Sequence, residues 1–263
     1  MRIAVYTSNQ PRHVRLIERI AEIADRVHAV IECSTLFPGA VEDFYRKSQP
    51  MQAYFLRVMG AEKRVFGGPR FLPENVHAMP MRLGDLNSVD MEAMASVLEC
   101  DLHVVFGASY IKSPLVDQLV ERRALNIHMG VSPYYRGSGC NFWAIHDGNP
   151  DLVGATIHLL TKGLDSGPML FHALAPHRAC DPFELGMLAV DASQTELVRA
   201  IRNGTLHTLQ PIKQDKGLEI RYSRYADFTD DVVAKYLASI PTAEEIGKLL
   251  LASPRRRLIP LAP

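Results

Sequence analysis

Asn126 and His128 stand two residues apart at the end of the apolar run AlaLeuAsnIleHis, and a carboxylate, Asp165, follows in GlyLeuAspSerGly beyond one more apolar stretch. An amide and an imidazole on alternate positions of a strand leave the same face, with Ile127 packed behind them. Aimed at one point, they can donate hydrogen bonds to the oxyanion that forms as a carbonyl is attacked. A carboxylate within reach fixes the imidazole's tautomer or stabilises its protonated form, and helps to move a proton from an attacking amine. The trio suits acyl transfer without a covalent enzyme intermediate. A strand-end Asn and His before a Pro/Gly-rich turn also serve simply to satisfy loop backbone groups, and spacing alone leaves both readings open.

Such side chains need strands that end together. Short apolar runs alternate with amphipathic stretches, the pattern of an α/β fold with a mostly parallel sheet and flanking helices. The runs 2–6, 27–31, 75–79, 102–106 and 124–127 read as parallel strands, and a continuous apolar strand such as ValValPhe calls for burial on both faces. Helices are expected near 11–26, 87–99, 113–122, 138–147 and 182–203. AlaThrIleHisLeuLeu and MetLeuPheHisAlaLeu flank the GlyLeuAspSerGly loop and are expected to pair. The stretch 38–66, rich in Phe, Tyr, Met, Arg and Lys, is longer than a crossover needs and reads as a helical insertion. Residues 1–204 then form one catalytic domain, and 205–263 a short C-terminal α/β extension with a strand in LeuGluIleArgTyr and helices near 228–238 and 242–252. Ligands of open α/β sheets bind at the carboxyl ends of strands, where Asn126, His128 and Asp165 fall.

No GxGxxG follows the first strand, so a nicotinamide cofactor is not expected. Ser8, Asn9 and Arg12 at that turn are candidates for holding an acceptor phosphate at the following helix N-terminus, with a plain strand-to-helix turn as the alternative. Tyr135 and Arg136 sit in a turn context that favours exposure, where a ring stacks on a sugar or base and a guanidinium grips a phosphate bidentately. Tyr134, Phe142 and Trp143 read as core, and His146 and His158 as ordinary packed or surface imidazoles. His172, His177, Cys180 and Asp181 are metal-ligating types without a zinc spacing, so no metal is expected. Cysteines 33, 100, 140 and 180 show no framework spacing, which points to reduced thiols in the cytoplasm. The 29 basic and 29 acidic residues leave no electrostatic footprint for nucleic acid, and ArgArgArg at 255–257 reads as a solvated stretch. The opening MetArgIleAlaVal has no leader character and no apolar run reaches about 18 residues, so neither secretion nor a membrane partner is expected.

Taken in order, AsnIleHis, SerProTyrTyrArgGly, AspGly, GlyAlaThrIleHis and GlyLeuAspSerGlyPro resemble the formyltransferase family that uses N10-formyltetrahydrofolate, most specifically over 101–172. The resemblance implies a Rossmann-like formyltransferase fold and a one-carbon enzyme that carries formyl from N10-formyltetrahydrofolate to a primary amine. It implies catalytic roles for Asn126, His128 and Asp165, and pterin contacts at Thr161, Lys162, Gly163 and Leu164 and at Ser109, Tyr110 and Ile111. Family members usually carry a Ser-Leu-Leu-Pro-like run after the histidine, whereas Met129, Gly130, Val131, Ser132 and Pro133 follow here, a loop shaped for a different acceptor. LeuGlnProIleLysGln with the later ArgTyrSerArg resembles the stretch after the catalytic domain in sugar and methionyl-tRNA formyltransferases, and it is too short for the β-barrel of the tRNA enzymes. The expected partner is therefore a small-molecule amine, an amino sugar carried on a nucleotide, and a homodimer is compatible with that. The alternatives are a glycinamide ribonucleotide formyltransferase, a formyltetrahydrofolate hydrolase, and a non-catalytic relative that binds folate or a partner.

Overall fold

The architecture comes from a computed structural model, which describes residues 1–33, 47–68 and 70–261. Strands β1 (Arg2–Ser8), β2 (Arg26–Cys33), β3 (Val76–Arg82), β4 (Leu102–Phe106) and β5 (Leu125–His128) run parallel in the order β3-β2-β1-β4-β5. Strand β7 (Gly154–Leu159) continues the sheet antiparallel to β5, and β8 (Met169–Leu174) pairs antiparallel to β7. Ile3, Ala4, Val5 and Tyr6 of β1 are fully buried, because both faces of the central strand are covered by helices. Helices Pro11–Ala21, Gln49–Phe66 and Pro182–Arg202 cover one face, and Ala95–Leu98 and Leu115–Glu121 pack on the other. The chain leaves β1 for β2 on one side and returns to β4 on the other, so a crevice opens beyond the carboxyl ends of β1 and β4.

Pro80 lies on β3, an edge strand where its missing N–H is tolerated. The β8 edge is covered by the chain's later residues: Met169 pairs with Ile212, and the His172 amide donates to the Ile259 carbonyl at 2.7 Å.

Several expected elements change in extent. The first helix ends at Ala21, and the expected 87–99 helix shrinks to a short 3-10 turn, Asp85–Asn87, and the single turn Ala95–Leu98. Of the expected insertion, 38–46 lies outside the described residues; the remainder is helix Gln49–Phe66, capped by the Ser48 hydroxyl. That helix carries Tyr54 into an aromatic cluster with Phe142, Phe183, Phe228 and Tyr236, so it belongs to the main core. Beyond 205, strand β9 (Arg221–Ser223) pairs in parallel with β6 (Tyr135–Gly137), and helices Asp230–Ala238 and Ala243–Leu251 follow. Arg221 clamps Asp147 with two bonds of 2.8 Å, and Arg256 holds Asp151 at 2.8 Å and Asn149 at 2.7 Å, fastening this segment to the sheet-bearing body.

Candidate active site

β5 pairs with β7 so that Asn126 faces His158 and His128 faces Thr156. The loop between β7 and β8 returns Asp165 over them. Asp165 takes φ of +44°, a left-handed conformation that Asp adopts more readily than most residues, and this turns its carboxylate inward. Its Oδ2 lies 3.3 Å from His128 Nδ1, and its Oδ1 accepts from Asn126 Nδ2 at 3.2 Å. The expected trio is therefore in direct contact.

His158 joins it, although the sequence offered only a packed or surface imidazole there. Its Nδ1 faces the Leu159 carbonyl at 2.8 Å and must carry a hydrogen, so its Nε2 accepts from Asn126 Nδ2 at 2.9 Å. Both Asn126 amide hydrogens are thus engaged, one by His158 and one by Asp165. Cys140, at the start of helix Cys140–His146, places Sγ 3.5 Å from His128 Nε2. Burial alone would lower the His128 pKa, but the sulfur of Cys140 and the Asp165 carboxylate outweigh it and push it up to about 10. Burial would likewise raise Asp165, but hydrogen bonding from His128 holds its carboxyl well below the usual range. The site therefore rests as an imidazolium beside a carboxylate.

The run 129–133 is stapled from behind. Thr156 Oγ1 donates to Gly130 O at 2.6 Å and accepts from Ser132 N at 2.8 Å. A Cβ on Gly130 would lie 2.5 Å from Cys140 Cβ and 2.7 Å from His128 Nε2, so only glycine lets the loop pass this close.

The trio lines a cavity of about 390 Å³ in the crevice between β4, β5 and the β7–β8 loop. Ser109, Tyr110 and Ile111 form one wall, with Thr161, Gly163 and Leu164 opposite. The buried Glu32 fixes the first wall by accepting from Ser109 N at 2.6 Å, Ser109 Oγ at 2.8 Å and Gly84 N at 2.8 Å. The Tyr110 hydroxyl donates to the Lys162 carbonyl at 2.6 Å and ties the two walls together. Lys162 contributes backbone only, since its ammonium turns to Asp117 at 2.6 Å.

The residues expected to meet an acceptor fare differently. Tyr135 is fully buried in β6, contrary to the exposure expected from its turn-like sequence, because β9 pairs alongside; its hydroxyl lies in the Asp147–Asn149 network. Arg136 is ion-paired to Glu219 at 2.9 Å. Ser8 is buried at the end of β1, and Asn9 is half-buried. Arg12 lines the cavity, but the buried carboxylate of Glu62 accepts from both its backbone N, at 3.1 Å, and its Nη1, at 2.8 Å. A protein anion already occupies the helix N-terminus that was expected to receive a phosphate.

The residues of metal-ligating type near 172–181 serve separate purposes: His172 bridges Ser132 and Ile259, and Asp181 caps helix Pro182–Arg202. Among the described residues no cluster of three or more His, Cys, Asp or Glu side chains could hold a metal ion, and no helix is long and apolar enough to cross a membrane.

Residues 61–181 match the family model described as formyl transferase. A methionyl-tRNA formyltransferase of Synechococcus sp. (strain JA-3-3Ab) is 29% identical over 165 residues, covering 60% of this chain and 50% of that protein. The chain spans half or less of the length of the curated relatives it matches most strongly. Among solved structures, a 4-N formyltransferase from Francisella tularensis superposes with a TM-score of 0.52 at 18% identity, covering 86% of this chain and 77% of that one. The N-formyltransferase from Helicobacter canadensis, solved with folinic acid and dTDP-3-aminofucose, gives 0.53 at 14% identity, covering 86% and 72%. At such identities the structural likeness speaks for the shared fold.

Proposed function

We propose, from the premise that the chain belongs to the formyltransferase family, that it is an N-formyltransferase carrying the formyl group of N10-formyltetrahydrofolate to a primary amine. The observation that carries this reading is the convergence of Asn126, His128 and Asp165 on one wall of the cavity. Its volume, about 390 Å³, and the small residues Gly107, Ala108 and Gly163 along its lining suit a flat heteroaromatic ring with hydrogen-bonding edges.

When bound, the donor supplies an electrophilic N-formyl carbonyl. The imidazolium of His128 is a fixed positive charge beside the place where negative charge gathers on the carbonyl oxygen. Asn126 adds an N–H by releasing the longer of its two contacts, the 3.2 Å bond to Asp165. Asp165, ionised at neutral pH, takes the proton of the attacking amine, which becomes strongly acidic as the new C–N bond forms. That proton passes to N10 as the bond between N10 and the formyl carbon breaks, so tetrahydrofolate leaves with N10 neutral and Asp165 is again ionised. Cavity-lining side chains and the tied walls at 110 and 162 keep bulk water from competing with the amine.

The preferred acceptor is an amino sugar carried on a nucleotide. In its favour, the β6–β9 ribbon beside Cys140 exposes the ring of Tyr222, with Arg136 stacked over it at 5.7 Å, and the neighbouring Tyr225, flat faces suited to a base. The balanced charge favours a small molecule over tRNA. Glu62 at the helix N-terminus weighs against any acceptor that docks a phosphate there, whether on a nucleotide-linked sugar or on glycinamide ribonucleotide.

The test is tetrahydrofolate release from N10-formyltetrahydrofolate with nucleotide-linked amino sugars, glycinamide ribonucleotide, methionyl-tRNA, or no amine. Release dependent on one amino sugar supports the reading. Release with another amine keeps the chemistry and replaces the acceptor, and amine-independent release means a hydrolase. Donor binding with no release under any condition, including a wider set of primary amines, sinks the transferase assignment.

A further inference from the structure

Cys140 is buried, with 1% of its surface exposed, yet it touches the imidazole of the Asn126–His128–Asp165 trio. Among the described residues its Sγ has two hydrogen-bonding neighbours, the Gly137 carbonyl at 3.3 Å and His128 Nε2 at 3.5 Å. A carbonyl only accepts, and a thiol has a single hydrogen, so that hydrogen goes to Gly137 and the sulfur turns a lone pair toward the ring. The ring's other nitrogen, Nδ1, faces Oδ2 of Asp165, an ionised carboxylate that also only accepts. Two acceptors, one at each nitrogen, call for a hydrogen on each.

We infer that Cys140 is a positioning residue of this site: its sulfur accepts Nε2–H of His128 and holds the ring as an imidazolium, which leaves Asp165 as the group that exchanges a proton. The protonation claim stands on the contacts at the two ring nitrogens and on Asp165 being ionised; its catalytic consequence rests on the formyl-transfer reading above.

The surroundings agree. The groups facing His128 are Asp165 from the β7–β8 loop, Cys140 from its helix, the neutral amide of Asn126 on β5, and, on β7, Thr156 and His158. Thr156 spends its hydroxyl on the Gly130 carbonyl, and His158 Nε2, 3.9 Å from Asp165, accepts from Asn126. Gly130 is the departure from the family's usual loop that makes room for the sulfur, since any Cβ there would strike both Cys140 and the His128 ring.

Nitrogen-15 NMR of the full-length protein with labelled histidine, with His128 assigned by loss of its signals in His128→Gln, tests the inference without requiring turnover. In the wild type at pH 8 both His128 nitrogens should resonate as protonated; one protonated and one bare nitrogen would overturn the inference outright. In Cys140→Ala the titration midpoint should fall by at least about one pH unit, a tenfold change in the protonation constant. Cys140→Ser, whose hydroxyl oxygen can still accept, should restore most of that loss, and the alkaline limb of kcat should move with the NMR midpoint. An unchanged midpoint in Cys140→Ala contradicts the inference even if the protein transfers formyl groups. The predicted titration in a protein that transfers none upholds the inference and removes only its catalytic consequence. Should Cys140→Ala fail to fold, the wild-type spectrum still decides.

Discussion

His128 and His172 lie in one row across the sheet, paired through Thr156 on the strand between them, and each is 7% exposed. Their charge states are opposite: His128 is pushed up to about 10, whereas burial takes His172 down to about 4. Desolvation works in the same direction on both, so it does not explain the difference. His172 donates from Nε2 to the Ser132 carbonyl at 2.7 Å and accepts the Ile259 amide on Nδ1 at 2.9 Å, which makes it a neutral bridge. His128 meets a carboxylate and a sulfur lone pair instead. Partners that accept at both nitrogens create a charged, reactive ring; one acceptor and one donor create a structural one.

The largest effect that would sharpen this contrast is on turnover. His128→Ala should reduce kcat by about 10²- to 10⁴-fold with donor affinity little changed, because the loss falls on the transition state. A wild-type rate would break the distinction between the two rings. His172→Gln should act on stability, costing about 1–3 kcal/mol in urea unfolding through the partners left unsatisfied at Ser132 and Ile259, with kcat reduced by less than about tenfold. A kcat loss comparable to that of His128→Ala would give His172 a catalytic role that its contacts do not support.

The smallest effect is in the pH dependence of stability. His172 is neutral when folded and protonates more easily when unfolded, so its contribution is present above about pH 6.5 and is lost as pH falls toward about 4. His128 has the opposite sign: its contribution is complete below about pH 6.5 and disappears as pH rises through about 10. Urea midpoints across this range should lose part of their acid slope in His172→Gln, with His13 and His103, also pushed down by burial, carrying the rest, and part of their alkaline slope in His128→Ala; a swap of the two changes would refute the assignment.

The strands and the trio were legible because they depend on local pattern. Continuous apolar runs marked buried parallel strands, period two placed Asn126 and His128 on one face, and the GlyLeuAspSerGly loop marked Asp165. What stayed hidden depends on long-range contact. Glu62 reaches Arg12 from a helix 50 residues away, Glu32 reaches Ser109 across 77, and nothing local to either carboxylate announces its target. Tyr135 looked like an exposed turn residue because β6 becomes a strand only when β9 arrives from far down the chain. Cys140 and His158 carried signals in their residue types, but spacing alone could not say that both would point at the trio.

The central claim is that the Asp165–His128 pair is the chemical centre of amine formylation. It is tested most directly by measuring tetrahydrofolate release from N10-formyltetrahydrofolate at saturating donor and amine, in wild type and in Asp165→Asn. A fall of at least about 100-fold, with the donor Kd held within about twofold, is the predicted result. Equal rates in the two proteins would contradict the account.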